Sequence, residues 1–212
     1  MTGVQTCALP ILTRMRPGPQ LKPGGASPPA TGNWRVDPAR SRASFIAQIA
    51  GRPVRGSLPL TGQVLIAKPI EDSTALLAAS ATEVSTGSPA LNRLLAKPGF
   101  LDAAAFPEII FRSELLARVP AGWRAVGRLQ VKGIQHELAC RLGLHHEGTL
   151  LEGPPRFWIY SSWVIDSHWI TRQWIPGLSR RISMTCSFLL EPQDAGVRRH
   201  CDPYRIVSAT LR

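Results

Sequence analysis

Histidines, cysteines and paired carboxylates are the side chains through which a chain can hold a metal, move a proton or attack a carbonyl. His145 and His146 stand side by side, followed by Glu147. Neighbouring residues of a strand face opposite sides of a sheet, so this pair is not expected to share a metal ion. Cys7, Cys140, Cys186 and Cys201 match neither a zinc-knuckle nor a CxxC spacing. Cys140 and Cys186 fall on apolar faces of strand-like segments and read as buried thiols. A disulfide between them would require neighbouring strands. Ser41, Ser44, Ser161 and Ser162 lack the G-x-S-x-G context of a nucleophile elbow. Asp37, Asp102 and Asp166 are single carboxylates without a readable partner. The expectation is a protein with no catalytic residue, no metal and no cofactor.

Aromatic and cationic residues offer a different chemistry. Trp158, Trp163, Trp169 and Trp174 fall close together in the sequence, beside Arg156, Arg172, Arg180 and Arg181. Rings and guanidinium groups on one face suit a phosphorylated lipid, and also single-stranded nucleic acid. His168, Arg172 and Arg180 are the candidates for holding a polar head group. The net charge is +11, carried mostly by arginine, since the lysines are only Lys22, Lys68, Lys97 and Lys132. No long Lys/Arg run and no basic amphipathic helix is present, so specific nucleic-acid binding is not expected. A basic surface of this kind also admits contact with an acidic membrane surface.

The elements that must position these residues read as strands. Apolar and polar residues alternate over Ala43–Ile49, Leu58–Ile66, Ile109–Ser113, Trp123–Val131, Leu138–Leu144, Phe157–Ile165 and Ile182–Leu190. Turn signals lie between them at Gly51–Pro53, Pro120–Gly122, Gly148–Pro155 and Pro176–Gly177. One short helix is expected over Pro89–Lys97: Ser88 can cap it, Pro89 suits its first position, and Pro98 and Gly99 stop it. Seven or eight such strands, as about one domain's worth of chain, make a sandwich or a closed antiparallel barrel. Inward candidates include small residues: Ala43, Ala47, Gly62, Ala125, Gly127, Cys140 and Cys186. They leave two interiors open, a hollow and a core of alternating large and small side chains.

Residues 1–33 are rich in Pro, Gly and Arg without periodicity and read as a disordered leader. Its opening, MTGVQTCALPIL, resembles translated sequencing-adaptor sequence and is not a convincing signal peptide. The domain is expected over 34–192, with a loosely held tail over 193–212. No apolar run reaches the ~18–20 residues that span a bilayer as a helix.

Three blocks carry a resemblance. The first is Trp34-x-Val36-Asp37-Pro38-x-x-Ser41-x-x-x-Phe45, with Val54-x-Gly56 and Gly62-x-Val64 after it. The second is Ser85-Thr86-Gly87, Leu91 and Leu94, then Phe100-Leu101-Asp102 and Phe106-Pro107-x-Ile109-x-Phe111-x-Ser113. The third is Gly127-x-Leu129-x-Val131-x-Gly133-Ile134. In this order and spacing they resemble the YceI-like family. The chain departs from the family pattern in three places: over Ser88–Arg93, where an Arg/Asp-rich stretch is usual, at Gln135, where Thr is usual, and over Ile165–Ile170.

The resemblance implies an all-β, lipocalin-like antiparallel barrel of about eight strands with one short helix. It implies non-enzymatic binding, storage or transport of an isoprenoid or other long-chain lipid in the barrel. The ligand classes are a polyprenyl phosphate, an isoprenoid quinone or a fatty-acid-like chain. It also implies a bacterial, periplasmic or secreted setting, and allows a homodimer. The lining is expected from Phe45, Ala47, Leu60, Val64, Phe111, Leu129, Leu142, Trp163, Met184 and Phe188. The alternative is a surface module that binds nucleic acid or acidic membrane through an Arg/Trp-rich face.

Overall fold

The structure, a computed structural model, describes residues 29–119, 122–147, 155–171 and 175–193. Most of the expected leader, and the tail beyond residue 193, lie outside the described residues. The strands in chain order are β1 (Gly32–Val36), β2 (Arg42–Ile49), β3 (Arg52–Ile66), β4 (Thr74–Ser80), β5 (Glu108–Val119), β6 (Gly122–Val131), β7 (Ile134–Glu147), β8 (Arg156–Asp166) and β9 (Arg181–Pro192). One α-helix, α1 (Pro89–Leu95), lies between β4 and β5. The barrel begins slightly before residue 34, because Gly32 and Asn33 already pair with Ile66 and Leu65.

All the strands belong to one antiparallel sheet. The order β3-β2-β9-β8-β7-β6-β5-β4 closes on itself through pairing of β3 with β4. Closure leaves eight staves and removes the sheet edges that would otherwise invite pairing with another chain. β1 is not a ninth stave. It pairs with the far half of β3 and the end of β9, where the shorter β2 does not reach. β1 and β2 thus share one slot, interrupted over residues 37–41.

The interruption explains the D-P-x-x-S pattern. At the break, the Asp37 N–H still donates to the Leu189 carbonyl at 2.9 Å. The next ladder bond is supplied by a side chain: Ser41 Oγ accepts from the Leu189 N–H at 3.1 Å. Ser41 and Leu189 are both fully buried. Ser41→Ala would leave that amide without water or partner, at a cost of about 1–3 kcal/mol. Urea melts of this variant are expected to show that loss, and an unchanged midpoint would mean the amide finds another acceptor.

α1 forms where the sequence predicts it, capped by Ser88, whose hydroxyl accepts from the Leu91 N–H. It stops two residues earlier than the expected Lys97, and Ala96 is its C-cap. β4 is not among the strands predicted from alternation. Its sequence, TALLAAS, is apolar on both faces, and Leu76 remains 41% exposed. Tertiary pairing with β3 and β5 makes it a strand.

The motif glycines mark close approaches. β5 carries a bulge between Ser113 and Leu115. There a Cβ at Gly127 would collide with the Arg112 carbonyl oxygen and lie 2.8 Å from Ser113 Cα. Gly133 has φ +76 in the two-residue β6–β7 turn, and Lys132 has φ +51, which matches the tight hairpin turn with two left-handed positions. The Phe106 ring packs over this turn, 3.1 Å from where a Gly133 Cβ would stand. The second and third sequence blocks therefore meet at one end of the barrel.

Candidate functional site

The interior is hollow. A cavity of about 330 Å³ runs inside the staves, at the lower end of the ~300–1,000 Å³ usual for ligand pockets. Five of the small inward candidates, Ala43, Ala47, Ala125, Cys140 and Cys186, stand on its wall. Four of them stand side by side in register, Ala125 with Cys140 across β6 and β7 and Ala43 with Cys186 across β2 and β9. Small side chains next to one another leave space that large–small alternation would have filled. The choice left open by the sequence is settled in favour of the hollow.

All ten residues expected on the lining are on it: Phe45, Ala47, Leu60, Val64, Phe111, Leu129, Leu142, Trp163, Met184 and Phe188. Away from the bulge in β5, each strand has period two, so one inward residue fixes the others on its strand. Among the described residues the wall holds no Asp, Glu, Lys, Arg or His. Its hydroxyls belong to Ser73, Thr74, Ser113, Ser161 and Thr171, and four of these bond to the protein's own backbone. Ser73 and Ser113 accept from the Ala67 and Ala75 N–H groups, while Ser161 and Thr171 donate to the Arg141 and Ser167 carbonyls. Hydroxyls held in this way offer little to a polar ligand; besides hydrocarbon and sulfur the wall carries the Thr74 hydroxyl and the Trp163 indole N–H, which is buried without a hydrogen-bond partner.

The two wall cysteines are inert thiols. Burial pushes Cys186 up to about 12 and raises Cys140 as well. A thiol needs to ionise to attack or to bind a metal, and a site without cations opposes that. β8 lies between the strands that carry them, which puts them roughly 10 Å apart at ordinary strand spacing. That is beyond disulfide reach, and both are free. Among the described residues no group of three His, Cys, Asp or Glu is arranged to hold a metal.

One end of the barrel is covered by two segments. α1 and the loop after it bring Leu91, Leu94, Leu95, Phe100 and Leu101 onto the cavity wall. The FLD pattern works locally: the Leu101 N–H donates to the Leu95 carbonyl, and Asp102 turns the chain at φ +52. The β8–β9 connection adds Ile170, Thr171, Ile175 and Leu178. Lys132 ties the two together. It is 6% exposed, and its Nζ donates to the Pro98 carbonyl at 3.1 Å and the Ile170 carbonyl at 3.3 Å. Nothing in the sequence pattern singled out this lysine, which falls in a turn where an exposed cation would be ordinary.

His136 supports the same end. Its ring stacks on Trp169 with centroids 4.1 Å apart, and its Nε2 is buried without a hydrogen-bond partner. Burial lowers its imidazole below the ordinary value of 6.5. The folded state therefore favours the neutral ring. Its contribution is complete above about pH 6.5 and is lost as the pH falls through the lowered value. His136→Phe, which keeps the stack, is expected to lose less stability than the parent between about pH 7 and about pH 5. Equal losses in denaturant melts would mean that His136 carries no part of the acid sensitivity.

The Arg/Trp face expected from the sequence is not one surface. Trp158 and Trp163 are five residues apart on β8, so alternation sends the first outward and the second into the cavity. Trp158 stacks on Tyr160, lies under the Arg40 guanidinium and donates to Glu147. Trp169 is taken by His136, and Trp174 lies outside the described residues. Arg156 pairs with Glu191 at 3.0 Å.

Two of the three expected head-group residues, His168 and Arg180, are not on the cavity wall. His168 is exposed, and its backbone N–H bonds to Asp166. Arg180 is 80% exposed and pairs with Asp166 at 2.8 Å. Arg172 lies outside the described residues. His145 and His146 do face opposite ways, and His146 packs edge-on against Phe157. No helix of the described residues is long and apolar enough to cross a membrane.

Comparison with known proteins places this geometry. A model of the YceI-like domain matches residues 34–166. No curated protein matches the chain. Among solved structures, BcnA of Burkholderia cenocepacia superposes with a TM-score of 0.64 at 16% identity, over 73% of this chain and 98% of that one. A polyisoprenoid binding domain from Saccharophagus degradans, implicated in plant cell wall breakdown, gives 0.56 at 13% identity, over 75% and 98%. The YCEI protein of Campylobacter jejuni gives 0.58 at 14% identity, over 66% and 86%. At these identities the likeness is one of fold.

Proposed function

The chain belongs to the YceI-like domain family, and from that premise we propose that its barrel binds an isoprenoid or other long-chain lipid and carries it chemically unchanged. The observation that supports this best is a wall without charged side chains among the described residues, with four of its five hydroxyls bonded to the backbone. An apolar chain inside gains ~25 cal/mol for each Å² it removes from water. Among the described residues no activated nucleophile, acid–base pair or metal group lines the cavity to act on it. The polyisoprenoid binding domain of Saccharophagus degradans, with the same fold, adds a precedent for the ligand class.

Salt distinguishes this role from binding at a charged surface. Titration with geranylgeraniol, followed by the fluorescence of the wall residue Trp163, is expected to give an affinity almost independent of ionic strength. Binding through phosphate contacts weakens steeply with salt. A steep salt slope for this uncharged lipid, or no saturable binding, would contradict the proposal.

A further inference from the structure

The bulge in β5 changes which residues face the cavity. Before it, Ile109, Phe111 and Ser113 are on the wall; after it, Leu116 is. The inward row has moved from odd to even numbers, and its next member is Arg118. Arg118 pairs in register with Trp123, which lines the cavity. Its guanidinium carbon lies 5.9 Å from the centre of the Trp123 ring. Arg118 is exposed and, like Arg112, Arg124 and Arg141 on β5, β6 and β7, has no carboxylate partner among the described residues, whereas Arg35, Arg40, Arg128, Arg156 and Arg180 each have one. Arg118 and Trp123 stand at the end of the barrel opposite α1, where β5 ends and β6 begins.

Building on the lipid-binding role above, we propose that Arg118 and Trp123 form a head-group station for an anionic lipid. The tail lies in the charge-free cavity, and the phosphate or carboxylate meets Arg118 at the rim. A guanidinium held over an aromatic ring keeps its N–H edge available to fork onto two oxygens of an anion. The stack also reduces the freedom the side chain loses when it binds.

Three probes test it: geranylgeranyl monophosphate, oleate and geranylgeraniol, titrated into the wild type, Arg118→Gln and Arg180→Gln. The expected result is a loss of about tenfold, ~1.4 kcal/mol, for the anions in Arg118→Gln alone, with geranylgeraniol unchanged. Loss for only one anion supports the station and names the head it takes. The proposal is overturned if Arg118→Gln binds all three like the wild type or weakens all three equally. It is also overturned if the selective loss appears in Arg180→Gln instead. Failure of the wild type to bind any probe would sink the cavity role itself, whereas binding of all three by wild type and Arg118→Gln alike would sink only the station.

Discussion

Ala47→Trp and Leu142→Trp are each expected to weaken lipid binding by about tenfold or more while the barrel still folds. Ala47 is 6% exposed on β2, and Leu142 stands on β7 between Trp123 and Ser161; both face the cavity. An indole there occupies space the tail would otherwise take. Displacing about two methylenes forfeits ~1.6 kcal/mol, or roughly tenfold. Overpacking is expected to cost the barrel about 1–3 kcal/mol, so circular dichroism and a denaturant melt must accompany the titration. A small-to-large change is the better test because an alanine would only widen the hollow. Unchanged affinity in both folded variants would mean that the tail does not lie in this cavity.

Lys132→Met is expected to loosen the covered end. The methionine keeps an apolar stem in a similar volume but removes the ammonium bonded to the Pro98 and Ile170 carbonyls. Hydrogen bonds to charged groups contribute about 1.5–3 kcal/mol each, partly offset because no charge must then be buried. A net loss of about 2–3 kcal/mol is expected. If it falls mainly on the closed arrangement of that end, a bound lipid should leave about 10–100 times faster. Stopped-flow transfer of a fluorescent fatty acid to vesicles measures that rate. A release rate equal to the wild type's, in a destabilised protein, would show that Lys132 supports the fold and does not control the exit.

The legible parts of this chain are those that depend on period two. Phe45 and Ala47, or Ile159 and Trp163, fall on one face because residues an even number apart on a strand do so. The inward rows of the predicted strands could therefore be read without knowing which strands were neighbours. α1 was legible from Ser88 and Pro89, whose chemistry is local. The hollow was not legible from the pattern, since Ala43, Ala125 and Cys186 suit a packed core equally well until their partners across the sheet are known. β4 was hidden because TALLAAS lacks a polar face. Arg118 was hidden by the bulge, which moves one residue out of the count and reverses the alternation after it. Lys132 and His136 matter because of what two distant connections bring to them, Pro98 and Ile170 for one and Trp169 for the other. Trp158, Trp163 and Trp169 misled for the opposite reason: proximity in sequence stood in for a shared face.

The most direct test of the central claim is mass spectrometry of the organic extract of purified protein, compared with that of Ala47→Trp prepared alongside it. The account predicts a long-chain isoprenoid or fatty-acid-like lipid at about one per chain in the wild type, and its loss or depletion in the variant. Extracts without such a lipid, from protein that also fails to take up geranylgeraniol, geranylgeranyl monophosphate or oleate when they are supplied, would contradict it.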